Sequence, residues 1–283
     1  MRNFDYFKPQ SLDEVWELKD QFPGARYIAG GTDLMVKMKN RELKPTALIS
    51  LRSVPELTGI TIGETIRIGA MTTIVDLIAH PELGNIFPVL LQAARRLGSP
   101  QVRNVGTVGG NLCNCSPCAD TAQALLVLDA AVVIRNPRES KKVNLYDFFI
   151  GAGESCLASN EILCEIILNL PAPNTRAIFM KKGRVKMDLA IASIAALLVM
   201  NEDTCIAARF SAGSVAPVPL RLFKVEELFH DTVISKELIN DAQSIAMKSV
   251  SPITDIRSTE EYRREIVGIY IKRAIEKLLG NEE

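Results

Sequence analysis

The chain has 283 residues, enough for one large or two ordinary buried cores. Its 33 basic and 33 acidic residues cancel, so no net field draws it to nucleic acid or an anionic membrane, and partners must be recognised by shape and local chemistry. The opening MRNFDYFKPQ has no apolar h-region, no run of about 18 apolar residues occurs, and six cysteines in so long a chain do not make a small secreted disulfide framework; a cytoplasmic protein with reduced thiols and no membrane span is expected.

In chain order, residues 3–7 read as a short strand. Ser11-Leu12-Asp13-Glu14 is a capping-box pattern opening a helix that carries Val15, Trp16 and Leu18, with Trp16 in the core. Residues 25–29 are strand-like and stop at Gly30-Gly31, after which residues 32–39 have helical spacing. Residues 47–54, 57–63 and 65–73 are short β-branched runs between turn residues, and residues 74–98 are mostly helical with a proline break. Residues 124–134 begin as helix and end as strand, a further run spans 161–170, and Pro171-Ala172-Pro173-Asn174 marks a linker. Beyond it, residues 178–182, a helix-or-strand run at 189–200 and residues 207–215 suggest a small antiparallel sheet. Helices near 235–249 and 259–279 cover that sheet, the last with Tyr262, Ile266, Ile269, Tyr270 and Ile275 on one side. The class is α+β in two parts.

Two glycine turns carry the chemistry. Glycine pairs let backbone approach a ligand closely, and N–H groups at a following helix start attract anions. Ala29-Gly30-Gly31-Thr32-Asp33 and Gly106-Thr107-Val108-Gly109-Gly110-Asn111 present this device twice, as if to grip the two phosphates of one dinucleotide. Either turn alone is a weak signal, since a lone glycine pair before a helix is more often only a tight turn. Neither has G-x-G-x-x-G spacing or a P-loop lysine, which disfavours a Rossmann site and triphosphate hydrolysis.

IAGGTDL at 28–34, GSPQVRNVGTVGGNLCNCSPCAD at 98–120, FMKKGRVKMDLAIASIAALL at 179–198 and AGSVAPVPLR at 212–221 together resemble the FAD-binding (medium) subunits of the molybdenum hydroxylases, the family of xanthine dehydrogenase and aerobic carbon monoxide dehydrogenase. The resemblance implies a vanillyl-alcohol-oxidase-type (PCMH) FAD-binding domain of two subdomains over residues 1–172 and a C-terminal sheet-and-helix domain over 176–283. It implies that Ile28, Ala29, Gly30, Gly31, Thr32, Asp33 and Leu34 wrap the pyrophosphate. Gly106, Thr107, Val108, Gly109, Gly110 and Asn111 would form a second loop over the phosphates and flavin edge. Asp120 would accept hydrogen bonds from the cofactor's polar tail, Ile162 would pack on the adenine side, and Leu97, Phe179 and Lys181 would lie near the cofactor; Leu97 and Phe179 read equally well as core. The basic run Lys181, Lys182, Arg184 and Lys186 is either a solvated edge or the border of the flavin pocket.

By the same resemblance, FAD is noncovalent and electrons arrive from 2Fe-2S clusters of a small partner subunit. They originate at a molybdenum cofactor in a large subunit and leave to NAD or another acceptor, in a dimer of heterotrimers. A self-sufficient flavin oxidoreductase and a nonenzymatic adaptor that has lost the flavin are the alternatives. Cys113-x-Cys115-x-x-Cys118 supplies three thiolates where an iron–sulfur cluster normally uses four. The relatives that carry an extra cluster do so on an insertion this chain lacks, and His80 and His230 sit at no zinc-ligand spacing. The three cysteines are expected to be small side chains beside a redox cofactor, and a Cys115–Cys118 redox pair is a minor option.

Overall fold

The structure is a computed structural model that describes residues 3–280. The chain opens with β1 (Asp5–Phe7), α1 (Leu12–Gln21), β2 (Arg26–Ile28), α2 (Leu34–Lys39) and β3 (Ala47–Ser50). The strands form a parallel sheet in the order β1-β3-β2. The Ser11 cap forms, with Glu14 N–H donating to Ser11 Oγ (3.3 Å), while the Glu14 carboxylate accepts one residue earlier than a capping box has it, from Gln10 N–H (2.7 Å). This aims Val15 and Trp16 inward, where both are buried.

A second unit holds β4 (Ile60–Ile62), β5 (Thr65–Gly69), α3 (Ile74–Ala79), α4 (Leu83–Ile86), α5 (Pro88–Arg96), α6 (Pro100–Val105), α7 (Val108–Cys113), α8 (Asp120–Val127), β6 (Ala131–Arg135), β7 (Ser140–Asn144), α9 (Leu145–Phe148), β8 (Phe149–Gly151), β9 (Glu154–Ser155) and β10 (Ile162–Asn169). Its antiparallel sheet runs β4-β5-β10-β6-β7, so the last strand enters between hairpins formed before it. The helical stretch expected over 74–98 is three helices. Proline cannot donate inside a helix but suits its first turn, and Pro88 and Pro100 each stand at the start of one.

The chain then forms β11 (Thr175–Lys182), β12 (Ala192–Asn201), β13 (Thr204–Gly213), β14 (Leu220–Arg221), α10 (Phe223–Glu226), β15 (Thr232–Val233), α11 (Lys236–Ser249) and α12 (Glu260–Leu279). The run at 189–200 is strand β12, and its ambiguity in the sequence has a physical cause. Alternate residues of a strand face opposite ways, and here both ways are dry. Ile194, Ala196 and Leu198 join a core with Ile266, Val267 and Ile271 of α12. Ala195 and Leu197 join the core of the preceding unit beside Leu90 and Leu125 of α5 and α8. With no polar face, alternation vanishes from the sequence.

On α12 the expected apolar stripe is rotated. Tyr262 is exposed, whereas Arg263, Val267, Ile271, Ala274 and Leu278 are buried with Ile266 and Ile275. Arg263 is tolerated there because Nη1 donates to Ile191 O (2.5 Å) and Ser214 O (3.1 Å), and Nη2 to Asp255 Oδ1 (2.6 Å). Burial alone would raise the Asp255 carboxyl, but hydrogen bonds from Arg257 and Arg263 hold it well below the usual carboxylate range. Among the described residues no helix is long and apolar enough to cross a membrane.

Candidate functional site

The two glycine turns pack against each other and together line one cleft of ≈ 530 Å³. Their contact requires glycine. A Cβ on Gly30 would stand 2.1 Å from Val105 O and 2.8 Å from Gly106 Cα, an overlap with backbone that no side-chain movement relieves. Gly31 follows at φ +74, where β-carbons are strained. Of the residues the resemblance singles out, Ile28, Ala29, Gly30, Gly31, Thr32, Asp33, Leu34, Leu97, Gly106, Thr107, Gly109, Gly110, Asn111 and Ile162 line this cleft.

The turns differ in what they offer a ligand. In the first, the N–H groups of Gly30, Gly31, Thr32 and Asp33 meet no internal acceptor among the described residues. Four adjacent unspent donors, continued by the start of α2, form an anion-binding nest. In the second, Val108 N–H donates to Thr72 O (3.0 Å), Gly109 N–H to Ala70 O (2.8 Å) and Asn111 N–H to Thr107 O (2.9 Å). Gly110 N–H donates to Thr107 Oγ1 (3.0 Å). The two turns thus differ: α7 spends its first donors on the fold, and the second turn is a close-packed wall.

Four expected site residues lie outside the cleft wall. Val108 is fully buried in the core. Phe179 is a core residue, and its N–H donates to Gln92 Oε1 (2.8 Å). Asp120 and Lys181 form a buried ion pair, Oδ2 to Nζ 2.6 Å with side chains 4% and 2% exposed. Lys181 Nζ also donates to Arg96 O (3.0 Å). Asp120 Oδ1 remains buried without a partner. The next residue, Thr121, donates through Oγ1 to Asn111 Oδ1 (2.6 Å), so the start of α8 is one side chain away from the cleft.

Burial lifts the Asp120 carboxyl to about 6 despite the neighbouring Lys181 ammonium. The unfolded carboxyl titrates near 3.9, so the folded state binds this proton more tightly. The group's contribution to stability is then full below about pH 4 and lost as pH rises through about 6. Asp120→Asn is expected to flatten the dependence of the urea unfolding midpoint on pH across that window. An unchanged slope would contradict the assignment.

The cysteines separate. Cys113 is exposed and lines the cleft wall. Cys115 is fully buried in the core at φ +46, with its Sγ donating to Leu112 O (3.3 Å). Cys118 Sγ accepts from Ser214 Oγ (3.0 Å). Among the described residues no three His, Cys, Asp or Glu side chains could hold a metal together. Only one of the three thiols thus touches the cleft.

Further lining residues were not singled out from the sequence: Tyr27, Lys37, Leu43, Met71, Ile74, Asn114, Gly153, Leu157, Glu161 and Leu163. Lys37 alone carried a signal, one helical turn beyond Asp33. The others arrive by tertiary packing, and Glu161 is neutralised by Lys141 at 2.6 Å.

A family model described as the FAD binding domain in molybdopterin dehydrogenase matches residues 2–172, and one described as the CO dehydrogenase flavoprotein C-terminal domain matches residues 177–278. The chain belongs to this flavoprotein family. It is 32% identical to the nicotinate dehydrogenase FAD-subunit of Eubacterium barkeri, covering 98% of this chain and 97% of the relative. It is also 32% identical to the carbon monoxide dehydrogenase medium chain of Hydrogenophaga pseudoflava, covering 96% of each. Among solved structures, carbon monoxide dehydrogenase from Hydrogenophaga pseudoflava lacking the Mo-pyranopterin moiety superposes with TM-score 0.96 at 31% identity, covering 100% of this chain and 99% of that one. Quinoline 2-oxidoreductase from Pseudomonas putida 86 superposes at 0.92 and 28% identity, covering 99% and 98%. The chain is an FAD-binding oxidoreductase component, with the mixed helix-and-sheet fold of carbon monoxide dehydrogenase medium chains. The cleft fits that cofactor: an anion nest adjoins a wall so close-packed that a single Cβ at Gly30 would breach it.

Proposed function

We propose that this chain is the FAD-binding electron-transfer subunit of a molybdenum hydroxylase. It would receive electrons from 2Fe-2S clusters of a small partner subunit, which draws them from a large molybdenum-cofactor subunit, and deliver them to NAD or another acceptor within a dimer of heterotrimers. The observation that carries the reading is the row of unspent N–H groups at residues 30–33, set against a second glycine wall. These donors would hold the pyrophosphate. Noncovalent FAD would supply the one- and two-electron chemistry, while the chain binds, orients and shields it. Ile162, Leu97 and Leu163 would give the ring systems apolar surface. The reading takes residues 1–172 as a PCMH-type domain and 176–283 as its C-terminal companion.

The test is a visible spectrum of the chain purified alone and with the proteins encoded beside it. Flavin bands released by denaturation are expected, and their absence from both preparations would sink the proposal. Anaerobic NADH then asks whether nicotinamide exchanges electrons with the flavin. Copurification of a molybdenum subunit separates a component from a self-sufficient enzyme.

A further inference from the structure

The anion-facing donors of the cleft are backbone N–H groups, and one ammonium stands among them. Lys37 lies on α2, one turn beyond the glycine turn; its own N–H donates to Asp33 O (3.0 Å). A helical side chain leans back toward the helix N-terminus, so Lys37 tilts from α2 toward the end of the helix that follows the glycine turn. Lys37 Nζ lies 3.1 Å from Asn114 Oδ1, on the residue that caps α7, so the charge spans the helices that follow the two glycine turns. Both side chains line the cleft.

That amide oxygen is the one hydrogen-bond acceptor of Lys37 Nζ among the described residues. An ammonium has three donors, so two are unspent, and its partner carries no charge. The acidic side chains of the wall are engaged elsewhere: Glu161 by Lys141 (2.6 Å), Glu42 Oε1 by Asn40 Nδ2 (3.0 Å) and Asp33 Oδ2 by Thr32 Oγ1 (3.2 Å). A cation beside unspent amides, with no carboxylate bound to it, suits a ligand bearing phosphate charge.

We infer that Lys37 is a cofactor-binding residue outside both glycine motifs: its ammonium bonds the pyrophosphate oxygens, and Asn114 holds it in register. This rests on the FAD reading above and adds to it a formal charge beside the backbone amides.

The test titrates flavin-depleted protein with FAD and with riboflavin, which has the same ring system and no phosphate, at low and high salt. Lys37→Met is expected to weaken FAD about 10- to 100-fold, the range of a charge-assisted hydrogen bond. Riboflavin affinity should be unchanged, and the salt dependence of FAD binding should flatten. Lys37→Arg should restore most of the affinity, and Asn114→Ala should stay within about threefold of wild type because the charge remains. Undiminished FAD affinity in Lys37→Met would overturn the inference. So would equal loss of FAD and riboflavin, or an Asn114→Ala variant as weak as Lys37→Met, since either would make the Lys37–Asn114 contact merely structural. Wild-type protein that fails to bind FAD would instead remove the reading beneath it, a distinct result.

Discussion

Gly30→Ala is expected to lose most of its bound flavin and about 1–3 kcal/mol of stability, the usual cost of forcing a methyl into a packed site. The added carbon would stand 2.1 Å from Val105 O and 2.7 Å from Val105 C, so the two turns must separate. Separation moves the free amides of residues 30–33 away from the second turn. The measurement is the ratio of flavin to protein absorbance after gel filtration, with a urea midpoint beside it. Gly63→Ala is the control, since its nearest heavy atom would be Thr65 O at 3.8 Å; it should retain wild-type flavin. Full flavin content in Gly30→Ala would show that the turns need not touch for binding.

Lys181→Met is expected to cost about 3–5 kcal/mol, because it leaves the Asp120 carboxylate buried without its counter-charge. The double variant Asp120→Leu/Lys181→Met removes both charges and should recover much of the loss, which a double-mutant cycle in urea would measure as coupling. Sequence reasoning placed both residues at the cofactor. If flavin is lost while the urea midpoint stays in place, that placement wins over the structural one.

The glycine turns were legible because their chemistry is local: a strand end, a pair without side chains and a helix start lie within a few residues. Their inequality was not. Whether an amide at Gly109 is free depends on Ala70 O, 39 positions away in the chain, and no local pattern encodes that. Asp120 and Lys181 each enter separately through the family resemblance, but their burial against each other is decided by the docking of β11 on α5 and of β12 and β13 on α8. Strand β12 was ambiguous for the opposite reason, since a segment dry on both faces carries no period to read. On α12 the buried face includes Arg263, which an apolar stripe cannot reveal; three oxygen acceptors from Ile191, Ser214 and Asp255 bring it in. Lys37 carried only a spacing, and its partner Asn114 lies 77 residues away.

The two dry faces of β12 bear on how the chain can be made. Phe179, Ala195 and Leu197 complete the core of the preceding unit, and Ser211 Oγ donates across the same junction to Gln123 O (2.8 Å). A ribosome that has released residues 1–172 has therefore not yet produced a finished domain, because α5 and α8 still lack the sheet that covers them. Conversely, a fragment starting at residue 176 would present that sheet's apolar face to water and invite self-association. The proline step divides the sequence into two family modules, yet residues of the second complete the core of the first.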